Sequence, residues 1–185
     1  LTSSVESLPQ SKHIAVTQFV DHVAADAVRE ALLSALEERG YVQGNNLKVT
    51  FENAQGNAGT AGQIARKFVG INPNVIVAIT TPSAQTIVKA TGAHSTPVVF
   101  AAVTDPVKAG LVSSLGEHKS NITGIQDAPP YKEQIELVKE MVPAIQTLGV
   151  LYNPGDSGAV ASLASLQREA ANKGIKLIYG TPFKS

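Results

Sequence analysis

The chain has 185 residues, 43% of them hydrophobic and 16% charged, with 15 basic side chains balanced by 15 acidic ones and no cysteine. This composition supports a sizeable core and excludes collagen-like, disordered and disulfide-framework classes. Zero net charge removes any whole-molecule attraction to phosphate backbones or anionic lipid, so nucleic acid is not an expected partner, and no apolar run approaches the ~18–20 residues that a bilayer crossing needs.

The single methionine is Met141, so Leu1 is not an initiator and removal of an upstream segment, for example by a signal peptidase, is expected. Residues 1–12 lack apolar periodicity and read as a tether. From residue 13 onward, short β-branched runs alternate with segments of helical period, the pattern of repeated βαβ units around a parallel sheet with helices on both faces. The expected fold class is therefore α/β, doubly wound. Residues 13–18 form the first strand, and Ala24, Val28, Ala31, Leu32, Ala35 and Leu36 then share one helical face before Gly40. Residues 47–52 form a strand and 63–69 a helix ending before Asn72-Pro73. Residues 74–79 form a continuous apolar strand, after which Thr81 is expected to cap a helix with Pro82 at its first position, running to about residue 91. Strands follow at 97–102 and 121–125, separated by a Thr104-Asp105-Pro106 turn.

Gln126-Asp127-Ala128-Pro129-Pro130 marks the expected boundary between a first lobe, 13–125, and a second, 126–185, because consecutive prolines exclude helix. The second lobe reads helix (131–141), strand (147–152), helix (157–172) and strand (175–179). Two strands with two helices bury little for a free-standing domain, so the second lobe is expected to be incomplete.

In an open parallel sheet, ligands meet the loops at the carboxyl ends of the strands. Four such loops carry polar clusters: 18–21, 80–85, 102–106 and 153–158. Thr81 and Ser83 hydroxyls with the amides of Ser83 and Ala84 suit capture of an anion at a helix N-terminus, although the same motif also makes a plain helix cap. Asp105 suits an ammonium group, or a locally bonded Asp-Pro turn. Together the two point to a zwitterion, whose charges each need a fixed partner when buried. Gly155-Asp156-Ser157-Gly158 matches the tetrapeptide around a chymotrypsin-like nucleophile, but it lies between a strand and a helix with no placed His/Asp pair, which favours a cap and ligand loop. Gly56, Gly59 and Gly62 read as a flexible lead-in to a helix, since no phosphate-cradling motif occurs. His13, His22, His94 and His118 read as surface or tether residues, and no metal or cofactor is expected. Asp26, Glu30, Glu37 and Glu38 read as a solvated helix face.

The runs IAVTQFVDH, FENAQGN, VAITTPSAQ, PVVFAAVTDPVKAGLV, NITGI and LGVLYNPGDSGA, in this order, resemble the ABC-transporter substrate-binding proteins of the tryptophan/tyrosine-type uptake family. The resemblance covers residues 13–184. It implies a type I periplasmic-binding-protein fold: two lobes joined by three chain crossings, of which this chain contains the first, with a ligand closed between them. It also implies an aromatic amino acid as one class of ligand, an ABC permease as membrane partner, and a location in the periplasm or at the outer face of the cell membrane.

The expected ligand site draws Gln18, Phe19, Thr81, Ser83, Ala84, Gln85, Thr104 and Asp105 from the first lobe, and Asn153, Asp156 and Ser157 from the second. Phe19, Phe100 and Tyr152 are the aromatic side chains nearest the strand ends. The expected function is capture and delivery of a small amino-acid-like solute without chemistry. The alternatives are a sensory domain of the same fold and an α/β enzyme using Asp105 or Asp156 as base.

Overall fold

Strict alternation of side chains along the strands decides the layering, and it is visible in a computed structural model that describes residues 11–92, 96–116 and 121–181. The elements are β1 (Lys12–Gln18), α1 (Val23–Glu37), β2 (Leu47–Asn53), α2 (Ala58–Ile71), β3 (Val75–Ile79), α3 (Thr81–Thr91), β4 (Val98–Val103), β5 (Ile122–Gln126), α4 (Tyr131–Met141), β6 (Thr147–Leu151), α5 (Ser157–Asn172) and β7 (Lys176–Gly180). The first five strands form one sheet in the order β2-β1-β3-β4-β5, and β6 pairs with β7 in a second. Every pairing is parallel.

One face of the larger sheet sends Ala15, Ile76, Ala78, Val98 and Phe100 against Ala61, Ile64, Ala65 and Phe68 of α2 and Ala84 and Ile87 of α3. Ile14, Val16, Val77 and Ile79 on the opposite face meet Ala25, Val28, Leu32 and Leu36 of α1. The sheet is thus doubly wound, as the alternation of strand and helix patterns predicts. Phe68, Ile76, Ile79 and Ile87 are fully buried, each worth about 1.5–3 kcal/mol of hydrophobic stabilisation. Ile135, Ala170, Ile175 and Leu177 form a separate core over the smaller sheet. The other face of that sheet leaves Leu151 80% and Ile178 53% exposed, so it has one covered side. Residues 127–130 connect the two units without regular structure.

Capping explains where helix boundaries depart from the periodicity. Asn57 caps α2 by accepting the Thr60 amide at 3.0 Å, which starts the helix at Ala58 and places Gly59 and Gly62 inside it, not in a loop before it. Thr80, one residue before the expected cap, is the N-cap of α3, and Pro82 lies one position deeper. His22 caps α1, its Nδ1 accepting from the Ala24 amide at 3.2 Å, so it is a structural residue of the helix start. His13 is likewise no tether residue: it lies in β1, its Nε2 is 2.9 Å from Thr50 Oγ1, and burial, then the nearby Lys48, hold its ring below the ordinary range. His94, His118 and residues 1–10 of the expected tether lie outside the described residues.

Candidate functional site

The strand order places a switch point between the carboxyl ends of β1 and β3, where neighbouring helices leave toward opposite faces and open a crevice. Backbone strain gathers beside it. Thr80 has φ 79° and ψ 157°, a region essentially confined to glycine, and Ala102 at the end of β4 has φ 53°. The two strained segments are joined by the Thr80 amide donating to the Ala101 carbonyl at 2.9 Å. Each such conformation costs about 1–3 kcal/mol and persists only where surrounding structure enforces it. No sequence signal marks either position, since neither is glycine.

Thr80 Oγ1 and Ser83 Oγ are both buried and have no hydrogen-bond partner among the described residues. Ser83 is 2% exposed and sits in the first turn of α3. Pro82 has no amide hydrogen, and the Ala84 amide donates to the Thr80 carbonyl at 3.1 Å, so Ala84 is not the free donor expected of it. The amides of Thr81 and Ser83 have no acceptor within the helix. This end of α3 therefore presents free amides, a partial positive charge and a buried unpaired hydroxyl, with no acidic residue in its first turn.

The second sheet unit meets this place with another helix N-terminus. Asp156 caps α5, its Oδ1 accepting from the amides of Gly158 at 2.8 Å and Ala159 at 3.4 Å. Its carboxylate is thus engaged locally, as is Asn153 Oδ1, which accepts from the Gly155 amide at 2.9 Å. Ser157 reaches across, donating its hydroxyl to Gln85 Oε1 at 2.8 Å. Its partner is an amide oxygen and not a base, which removes the protease reading of the tetrapeptide. A methyl group built on Gly158 would stand 3.0 Å from Thr81 Oγ1 and 3.3 Å from Thr104 Oγ1. Thr81, Gln85, Thr104 and Ser157 are therefore brought together, with Gly158 among them.

Beside this contact lies a cavity of about 260 Å³ between the units. Thr104 and Asp105 line it from the first unit, Gln126 and Pro129 from the connection, and Tyr131 and Arg168 from the second. Burial tends to raise the Asp105 carboxyl, but the Lys108 amide and ammonium and the Val107 amide outweigh it and hold the group below its ordinary value of 3.8. Asp105 Oδ1 accepts from the Lys108 amide at 2.9 Å, and Oδ2 lies 3.1 Å from Lys108 Nζ. The locally bonded turn is thus real, and the carboxylate remains ionised at the cavity wall.

Three expected site residues make their contacts within the first unit. Gln18 is wholly buried; its Nε2 donates to the Val20 carbonyl at 3.1 Å and to Asp26 Oδ1 at 2.9 Å, while its Oε1 accepts from Arg29 Nη1 at 3.0 Å. Both amide hydrogens are engaged, because a buried amide must be satisfied, and Asp26 is correspondingly part of a β1–α1 anchor and not of a solvated face. Phe100 is 4% exposed within the α2–α3 face of the sheet, and Phe19 packs partly buried against the same cluster. Tyr152 makes an edge contact with Tyr179 of β7, centroids 6.4 Å apart.

A family model described as ABC transporter substrate binding protein matches residues 13–181. The chain is 37% identical over 169 residues to a tyrosine-binding protein of Clostridioides difficile, covering 91% of this chain and 48% of that one. The crystal structure of a conserved domain protein from Vibrio cholerae superposes with a TM-score of 0.90 at 46% identity, over 95% of this chain and 58% of that one. An ABC domain from Streptococcus pneumoniae, solved in complex with L-tryptophan, gives 0.88 at 29% identity, over 94% and 58%. The chain thus spans about half the length of the curated relative and 58% of each of these two solved chains.

Proposed function

Since the chain belongs to the ABC transporter substrate-binding protein family, we propose that it forms the ligand-capturing part of an importer's binding component, holding an amino acid between two lobes. Residues 13–125 are the first lobe and 126–185 belong to the second. The observation that carries this reading is the meeting of the α3 and α5 N-termini, where Gly158 packs on Thr81 and Ser157 bonds Gln85, beside the first turn of α3 with its buried unpaired Ser83 hydroxyl. The α3 end, with its unfilled donors and partial positive charge, suits a carboxylate without a cationic side chain, and α5 adds its dipole while Asp156 holds the Gly158 and Ala159 amides.

The ammonium end of the ligand goes to Asp105, competing with Lys108, whose side chain is 56% exposed and free to swing away. A cavity near 260 Å³ falls just under the ~300 Å³ at which drug-sized pockets begin, which suits a small solute. That one relative is a tyrosine-binding protein and one solved neighbour holds L-tryptophan supports an aromatic amino acid, with Tyr131 at the cavity as the flat partner.

The ligand closes the lobes by binding the approached form better than the separated one; moving the population from 1:99 to 99:1 requires about 5.5 kcal/mol of differential affinity. The closed shape is what an ABC permease recognises, outside the cytoplasm, and no step of the cycle needs a catalytic residue. A calorimetric titration of the protein with L-tyrosine, L-tryptophan and L-leucine, repeated on Asp105→Asn, tests the reading. Saturable binding that weakens at least about tenfold in the variant is expected from loss of one charge-assisted contact. Undiminished binding to Asp105→Asn would overturn the ammonium assignment, and no binding by the protein would overturn the amino-acid reading.

A further inference from the structure

Helix α5 touches the first sheet unit at its first two residues, and the two contacts differ in kind. Ser157 donates its hydroxyl to Gln85 Oε1 at 2.8 Å, and Gln85 is held from behind, its Nε2 donating to the Ala109 carbonyl at 3.0 Å. The contact at Gly158 is steric. Its absent methyl group would stand 3.0 Å from Thr81 Oγ1, 3.3 Å from Thr104 Oγ1 and 3.2 Å from the cap oxygen, Asp156 Oδ1. The φ of Gly158 is not in the left-handed region, so the backbone makes no demand for glycine, and within a helix alanine is the better former. The missing side chain is therefore needed by the neighbours, and two of the three belong to the other unit.

We propose that Gly158, together with the Ser157–Gln85 bond, is the stop that sets how closely the two units approach, a role that rests on the reading of the protein as a two-lobed binder closing on its ligand. Gly158 is a positioning residue. It fixes the angle at which the two helix N-termini face each other, and through that angle the fraction of molecules able to grip a ligand from both sides. A branched side chain at this position props the units apart. Apparent affinity falls with the competent fraction, so if the variant closes one tenth as often as the unsubstituted protein, the apparent Kd rises about tenfold.

The sequence contains no cysteine, so spin labels at Glu38→Cys and Asn172→Cys, both exposed, report the distance between the units by pulsed EPR. Gly158→Val is expected to shift the distance distribution to longer values, with and without saturating L-tyrosine or L-tryptophan. Ser157→Ala and Gln85→Leu, which add no bulk at the contact, are expected to shift it by less in the same direction. A folded Gly158→Val protein with the unsubstituted distribution would overturn the proposal. Should Gly158→Val fail to fold, unchanged distances in both other variants would overturn it equally. The comparison without ligand separates this outcome from a failure of the ligand reading, in which the unsubstituted protein ignores both amino acids while the variants still open.

Discussion

Replacing Ser83 by alanine should make the ligand-free protein more stable and the ligand complex weaker, opposite signs that a merely structural hydroxyl cannot produce. Ser83 is 2% exposed and its Oγ lacks a partner among the described residues, so the empty protein carries an unpaired buried hydroxyl that costs about 1–3 kcal/mol. Alanine removes that penalty and leaves only the space of one oxygen, for an expected net gain near 1 kcal/mol. In a chain of this size such a gain raises the melting midpoint by about 2–4 °C. With a ligand carboxylate in place the same hydroxyl makes a hydrogen bond to a charged group, worth about 1.5–3 kcal/mol, so the variant should bind roughly 10–100-fold more weakly. Differential scanning calorimetry without ligand and isothermal titration with L-tyrosine or L-tryptophan read the two quantities on one preparation. A lowered midpoint in the empty protein would show that Ser83 already has a structural partner, and unchanged affinity would show that no ligand reaches it; either result refutes the reasoning.

Three further substitutions test neighbouring parts of the account. Thr80→Gly should raise the urea midpoint, because relief of about 1–3 kcal/mol of strain at φ 79° exceeds the ~0.5–1 kcal/mol that glycine loses in chain entropy, and a lowered midpoint would mean that the conformation is not strained. Gly124→Ala should destabilise by about 3 kcal/mol or more in the same assay, since its methyl group would lie 2.1 Å from the Phe100 carbonyl oxygen and 2.5 Å from the ring; near-native stability would show that β4 and β5 are less closely apposed. The folded carboxyl of Asp105 lies below its ordinary 3.8, so its stabilisation is present above that value and is lost as pH falls through the lowered one. Lys108→Met should move the Asp105 titration, followed by NMR, upward toward 3.8, and an unmoved titration would leave the backbone amides as its only partners.

The helices and strands were legible because their patterns are local. The α4 and α5 boundaries follow from Pro130 before Tyr131, from Asp156 as a cap and from unbroken helical period up to the residues before Gly174. Asn57 could have been identified as a cap by the same rule, which would have placed Gly59 and Gly62 in α2. The site was legible only at the level of loops. Gln18 sits where a ligand amide would, but its burial forces its bonds onto Asp26 and Arg29, a consequence of how α1 folds back. Phe100 shares the parity of Val98, and both turn into the α2–α3 layer because the strand is covered by helices, which alternation allows but does not decide. The positive φ at Thr80 and Ala102 leaves no trace in residue type, and the use of Gly158 as a contact surface depends on where Thr81 and Thr104 arrive from other strands.

The central claim is that two helix N-termini share one carboxylate, and removing that charge from the ligand tests it most directly. Calorimetric titration should compare L-tyrosine and L-tryptophan with L-tyrosinamide and L-tryptophanamide, which keep the ammonium and the ring but lose the anion. The account predicts that whichever amino acid binds, its amide binds at least about tenfold more weakly, through loss of a charge-assisted contact worth about 1.5–3 kcal/mol. An amide that binds as tightly as its parent acid would contradict it.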